Sequence, residues 1–254
     1  MKSGVMGLAL LLLASAAAGE FKANGIAFHY REPAKFSSDA RILVLFGGRN
    51  WPGDRTLKAF HMEQLADRHG VFLLSPSFKD RDYWEPQKWS GQTLKKALSV
   101  LERKYHLKAQ KIYFYGYSAG GQCSALFYAW MPERVAAWGV HASGVYPDAI
   151  RNAAAPALIT CGTEDAERLQ ISRYFVYRYR EAGGEILWKP YAGAGHGLTK
   201  EALALAEAWF DALLAGQNDG ICGEDDTLKT GGKIDSEFRN ILYSKTIQRL
   251  WQKR

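Results

Sequence analysis

Short apolar runs alternating with helical segments constrain this chain more than any other feature. The runs Ile42–Phe46, Val71–Ser75, Lys111–Tyr115, Val135–Val140, Ala157–Thr160 and Glu185–Lys189 are each four to six residues long, bounded by glycine, proline or charge. Continuous apolar runs of that length suit strands buried on both faces. Helical segments are expected between them, near 57–69, 92–105, 119–131, 166–182 and 199–215. In the second, Leu94, Ala97, Leu98 and Leu101 share one helix face. Such alternation specifies an α/β fold, a mainly parallel sheet with helices on both faces. Gly25–Arg31 is expected to add an antiparallel edge strand. No internal repeat interrupts the pattern, so one domain from about 20 to 215 is the simplest partition. The tail, 216–254, differs: a loop rich in glycine and acidic residues precedes a short amphipathic helix expected through Phe238, Ile241, Leu242 and Trp251.

Residues 1–18 read as a signal peptide. Lys2 gives a positive start, Gly7–Ala14 an apolar segment, and Ala14-Ser15-Ala16 or Ala16-Ala17-Ala18 a cleavage site of small residues. The apolar stretch is about 15 residues against the roughly 20 a spanning helix needs, so membrane attachment is expected only if the leader stays uncleaved. The expected location is periplasmic or extracellular. Three cysteines do not make a disulfide scaffold: Cys123 and Cys161 fall in core elements and Cys222 in the tail. The formal charge of +7 is scattered with no basic run, and no nucleic-acid motif occurs. Nothing in the sequence specifies an oligomeric state.

Chemistry concentrates at three places. Gly116-Tyr117-Ser118-Ala119-Gly120 matches G-x-S-x-G directly after an apolar run and at the opening of a helix. A sharp turn there holds a serine hydroxyl outward, and a hydroxyl becomes a nucleophile when a base takes its proton. In this arrangement the partners follow in the order serine, acid, histidine. After Ala157–Thr160 comes Cys161-Gly162-Thr163-Glu164-Asp165, and after Glu185–Lys189 comes Gly195-His196-Gly197. Ser118, Asp165 and His196 are therefore the candidate catalytic residues, with Glu164 as competitor for the acid. Oxyanion donors are expected from the N–H of Ala119 and from the turn after Ile42–Phe46, at Gly48 or else Arg49. Trp51, Tyr117, Trp84 and His141 are the expected substrate contacts.

The segments FGGR, GYSAGG, GTED and GHG together resemble the α/β-hydrolase superfamily over about residues 40–215. GYSAGG followed by MPERVAAWGVHASG is similar to the secreted feruloyl esterase and polyhydroxybutyrate depolymerase-like branch, and more loosely to dienelactone hydrolase-like proteins. Phe46 departs from the histidine common before that Gly-Gly turn, and a serine nucleophile differs from the cysteine of true dienelactone hydrolases. The resemblance implies two-step acyl transfer without metal or cofactor, on a small-molecule or polymer-attached ester. The short connection Val145–Pro156 leaves little room for a lid and implies an open cleft. The aromatic loop 78–91, with Tyr83, Trp84 and Trp89, is expected beside it. A peptidase or an acyltransferase could use the same groups, and a non-catalytic binding module is the remaining alternative.

Overall fold

The computed structural model describes residues 17–80, 82–108, 110–148, 153–224 and 239–253. Eight strands form one sheet in the order β1-β2-β4-β3-β5-β6-β7-β8. These are β1 (Ala18–Ala23), β2 (Ile26–Arg31), β3 (Ile42–Phe46), β4 (Phe72–Pro76), β5 (Ile112–Tyr117), β6 (Val135–His141), β7 (Ala157–Gly162) and β8 (Ile186–Tyr191). From β4 to β8 all neighbours are parallel. β1 and β2 are antiparallel to each other, and β2 is antiparallel to β4. All six expected core strands are present, each within two residues of its expected ends.

Side-chain alternation along the strands feeds two cores. Val44, Phe46, Phe72 and Phe114 join one face with α3 (Gly91–Lys104), α4 (Ala119–Trp130) and α5 (Ala166–Glu181). Leu43, Leu45, Leu73 and Tyr115 join the other with α1 (Gly53–Phe60), α2 (Glu63–His69) and α6 (Lys200–Ala215). Strands covered on both sides need to be apolar throughout, and β3 and β4 are buried at every position.

Three elements differ from expectation. β2 is not the edge strand, because β1 pairs along it through a two-residue turn at Asn24 (φ 48°) and Gly25 (φ 80°). Positive φ at both positions is what such a tight hairpin requires. The helix expected over 57–69 is two helices, broken at His61 (φ 50°). Phe60 and Met62 are both buried in the same core. Residues two apart on one continuous helix point to nearly opposite sides, so the chain must turn between them. In the tail, the helix begins later than expected, at α7 (Lys245–Gln252), where the Ser244 side chain caps it by accepting from Ile247 N–H. Ile241 instead lies in β10 (Asn240–Ile241), paired with β9 (Cys222–Gly223). Phe238, residues 1–16 of the expected 1–18 leader, and much of the acidic loop lie outside the described residues, while Ala18, the last residue of that leader, begins β1.

The tail packs on the domain. Ile247 is fully buried among α6 side chains, and Trp251 Nε1 donates to the Trp188 carbonyl at 2.8 Å. Asn240 Oδ1 accepts from the Trp188 N–H at 2.6 Å and from Arg180 at 3.1 Å. Both outward backbone groups of Trp188, on the last strand of the sheet, are thus occupied by the tail. Among the described residues no helix is long and apolar enough to cross a membrane.

Candidate active site

Ser118 stands between the end of β5 and the start of α4 with φ 56° and ψ −120°. A non-glycine residue there carries strain of roughly 1–3 kcal/mol that the surroundings must impose. They do so by crowding. A Cβ at Gly116 would overlap the Gly120 carbonyl, and one at Gly120 would overlap the carbonyls of Phe46 and Gly47. Only glycines at these two positions let the elbow close against the end of β3. The Ser118 N–H donates to the His141 carbonyl at 2.9 Å, which ties the elbow to the end of β6.

His196 Nε2 lies 2.8 Å from Ser118 Oγ, and its Nδ1 lies 2.6 Å from Asp165 Oδ2. The Asp165 side chain is 7% exposed and that of His196 37%. Asp165 follows β7 and sits just before α5, and its second oxygen accepts from Arg168 at 3.0 Å. Glu164 is exposed, and its N–H donates to the Ala194 carbonyl at 2.9 Å. Of the two competing carboxylates, the structure brings Asp165 to the imidazole. A hydroxyl, an imidazole and a carboxylate in this chain can move a proton from serine to histidine while the oxygen attacks a carbonyl.

Gly48 and Ala119 flank the elbow. Ala119 is the first residue of α4, so its N–H has no acceptor within the helix. Gly48 is buried, and a Cβ there would stand 3.1 Å from the Trp51 ring and 3.2 Å from the Tyr117 ring. Arg49 points outward, its guanidinium 5.9 Å from the Trp84 ring. Tyr117 packs at 5.4 Å on His196 and at 5.5 Å on Trp51, so these rings form one continuous wall. Burial, and next the charge of Asp165, raise the Tyr117 phenol above its ordinary pKa, keeping it a neutral hydroxyl. In the aromatic loop, Tyr83 is buried and Trp89 packs on Phe78, whereas Trp84 is half-exposed beside Arg49. No helix occurs among the described residues between β6 and β7.

His141 is placed differently from expectation. It is wholly buried and cannot touch substrate. Its Nδ1 lies 2.8 Å from Thr160 Oγ1 and its Nε2 3.0 Å from the Gly197 carbonyl. Burial pulls its pKa down to about 4, so the ring is neutral. Arg168 and Thr160 were not singled out by the sequence reading. Arg168 could have been found as a cation three residues beyond the acid, in the first turn of the helix. The free thiols Cys123 and Cys161 are buried, and burial raises both pKa values, Cys161 to about 12, which leaves them inert.

No family model and no curated protein matches the sequence. Solved structures do match the fold. A thermostable esterase aligns with a TM-score of 0.58 and 20% identity over 70% of this chain, which spans only 55% of that esterase. A poly(aspartic acid) hydrolase from Sphingomonas sp. KT-1 aligns at 0.60 and 19% identity, covering 80% of this chain and 100% of the other. A poly(3-hydroxybutyrate) depolymerase from Bordetella parapertussis aligns at 0.60 and 17% identity, covering 80% and 94%. The strand order, the elbow after β5 and these likenesses together identify the fold of this chain as the α/β-hydrolase fold.

Proposed function

We propose that this chain is an exported serine hydrolase that cleaves a carboxylic ester through an acyl-enzyme. The observation that carries the reading is the hydrogen-bonded chain from Ser118 through His196 to Asp165, mounted on a strained elbow. Ser118 Oγ attacks the ester carbonyl as His196 takes its proton, and Asp165 stabilises the imidazolium. The N–H groups of Ala119 and Gly48 receive the negative charge that develops on the carbonyl oxygen; each such donor is worth about 3–4 kcal/mol. His196 returns the proton to the departing alcohol. It then takes a proton from water, whose oxygen attacks the acyl group, and passes that proton to Ser118 Oγ as the bond from Oγ to the acyl carbon breaks and the acid departs.

The substrate side is read as an open cleft. The half-exposed ring of Trp84 offers a flat surface to a ring or polymer segment attached to the ester, while Trp51, with Arg55 4.0 Å over one face and Tyr117 packed against it, lines the wall beside it. Labelling with a fluorophosphonate, wild type beside Ser118→Ala, tests the nucleophile. The expected outcome is labelling of the wild type alone, with the variant folded and ester turnover lost. A panel of p-nitrophenyl esters and peptide anilides then reads the reaction class: anilide turnover exceeding ester turnover would replace the esterase reading with a peptidase. Failure of folded wild type to label would overturn both.

Export belongs to the same proposal. The Ala17 carbonyl accepts from the Glu32 N–H at 2.8 Å and β1 begins at Ala18, so cleavage after Ala16 keeps the first strand whole. Sequencing the amino terminus of secreted protein should find Ala17. Retention of the full chain inside the cell would defeat this part.

A further inference from the structure

We propose that buried His141 is a positioning residue that fixes the base loop through one hydrogen bond to the Gly197 carbonyl, and so sets the distance between His196 and Ser118. The inference rests on the hydrolase reading above and adds to it a residue that never meets substrate.

The loop carrying His196 is held by hydrogen bonds at its two ends, where Glu164 N–H also donates to the Ala194 carbonyl. Upstream, Ala194 N–H donates to the Tyr191 carbonyl and Gly193 N–H to Thr163 Oγ1; downstream, Thr199 caps α6. Among the described residues, His141 Nε2 is the one hydrogen-bond donor that reaches the loop backbone between Gly195 and Leu198. The Ala194 and Gly195 carbonyls pack against Gly162, and Leu198 packs on the second core; Gly197, exposed and with open space where a side chain would stand, is the position between them that the His141 bond holds.

His141 is well suited to the task because its own state is locked. The Gly197 carbonyl can only accept, so Nε2 must carry the proton. A neutral ring then has a lone pair at Nδ1, and the Thr160 hydroxyl at 2.8 Å supplies the donor for it. The hydroxyl also lies 3.2 Å from the Val140 carbonyl, the longer of its two contacts. One residue thus holds both halves of the site: its carbonyl holds the elbow at Ser118, and its imidazole holds the loop at Gly197. Tyr117 completes the clamp, its ring 6.0 Å from His141 and 5.4 Å from His196.

The test separates the hydrogen bond from mere filling of space. In His141→Gln the amide nitrogen reaches where Nε2 lies and can still donate to Gly197. In His141→Asn the amide reaches no farther than Nδ1, so the bond to Gly197 is lost. Ester kinetics should show Gln within about threefold of wild type. Asn should lose about tenfold or more in kcat with little change in KM, as expected for a base held slightly out of line. Equal activity in the two variants, high or low, would overturn the proposal. Should Asn fail to fold, nitrogen-15 NMR of wild-type imidazoles reads the same claim directly. A neutral His141 protonated at Nε2 supports it, and a proton at Nδ1 or on both nitrogens overturns it. If wild type neither labels nor hydrolyses esters, the hydrolase reading falls, while the NMR arm still reports on the bond itself.

Discussion

His141 also links the site to stability. An unfolded histidine titrates near 6.5, whereas folded His141 is held at about 4 by burial. Between those values the unfolded chain binds a proton that the folded chain refuses. Folding therefore gains nothing from this group above pH 6.5 and loses stability as pH falls, by about 3 kcal/mol at pH 4. Urea unfolding of wild type and His141→Gln at pH 7 and pH 4 should show a steeper acid loss in wild type by roughly that amount. Parallel losses would show that other groups set the acid limit. At this scale Ser118, Asp165 and His196 were legible because each follows an apolar run by a few residues, and parallel strands deliver their ends to one edge. The burial of His141 and the Arg168 contact to Asp165 were not. They depend on which way a side chain leaves the backbone and on contacts such as His141 to Gly197, 56 residues apart in sequence.

Elements tell a similar story, and the misses have physical causes. β1 escaped notice because its residues adjoin the expected leader, although Asn24-Gly25 is a strong hairpin signal. The break at His61 was hidden because a single helical period fits on either side of it. In the tail, the decisive group is a side chain imitating a strand: Asn240 Oδ1 takes the N–H that a ninth neighbour of β8 would take. Replacing Asn240 by Ala leaves the Trp188 N–H and the Arg180 contact without that acceptor in a buried place. A loss of about 2 kcal/mol in urea unfolding is expected. A loss below about 0.5 kcal/mol would mean that water or a shifted tail substitutes freely. The amphipathic character of the last helix was visible in its sequence, but not this cap, since nothing local marks an asparagine as the partner of a strand 52 residues away.

Across the whole molecule, every group assigned to the chemistry lies at one edge of the sheet, where β3, β5, β7 and β8 end and their loops meet. Among the described residues the two cores are built mainly of apolar side chains. The two lateral margins of the sheet are unlike each other. At β8 the tail occupies the outward N–H and C=O of Trp188. At β1 alternate residues are exposed, and within the described chain no strand lies beyond it. A side chain that takes the outward groups of a last strand does there what a further strand would do, so at Trp188 the tail guards that margin against pairing with another chain.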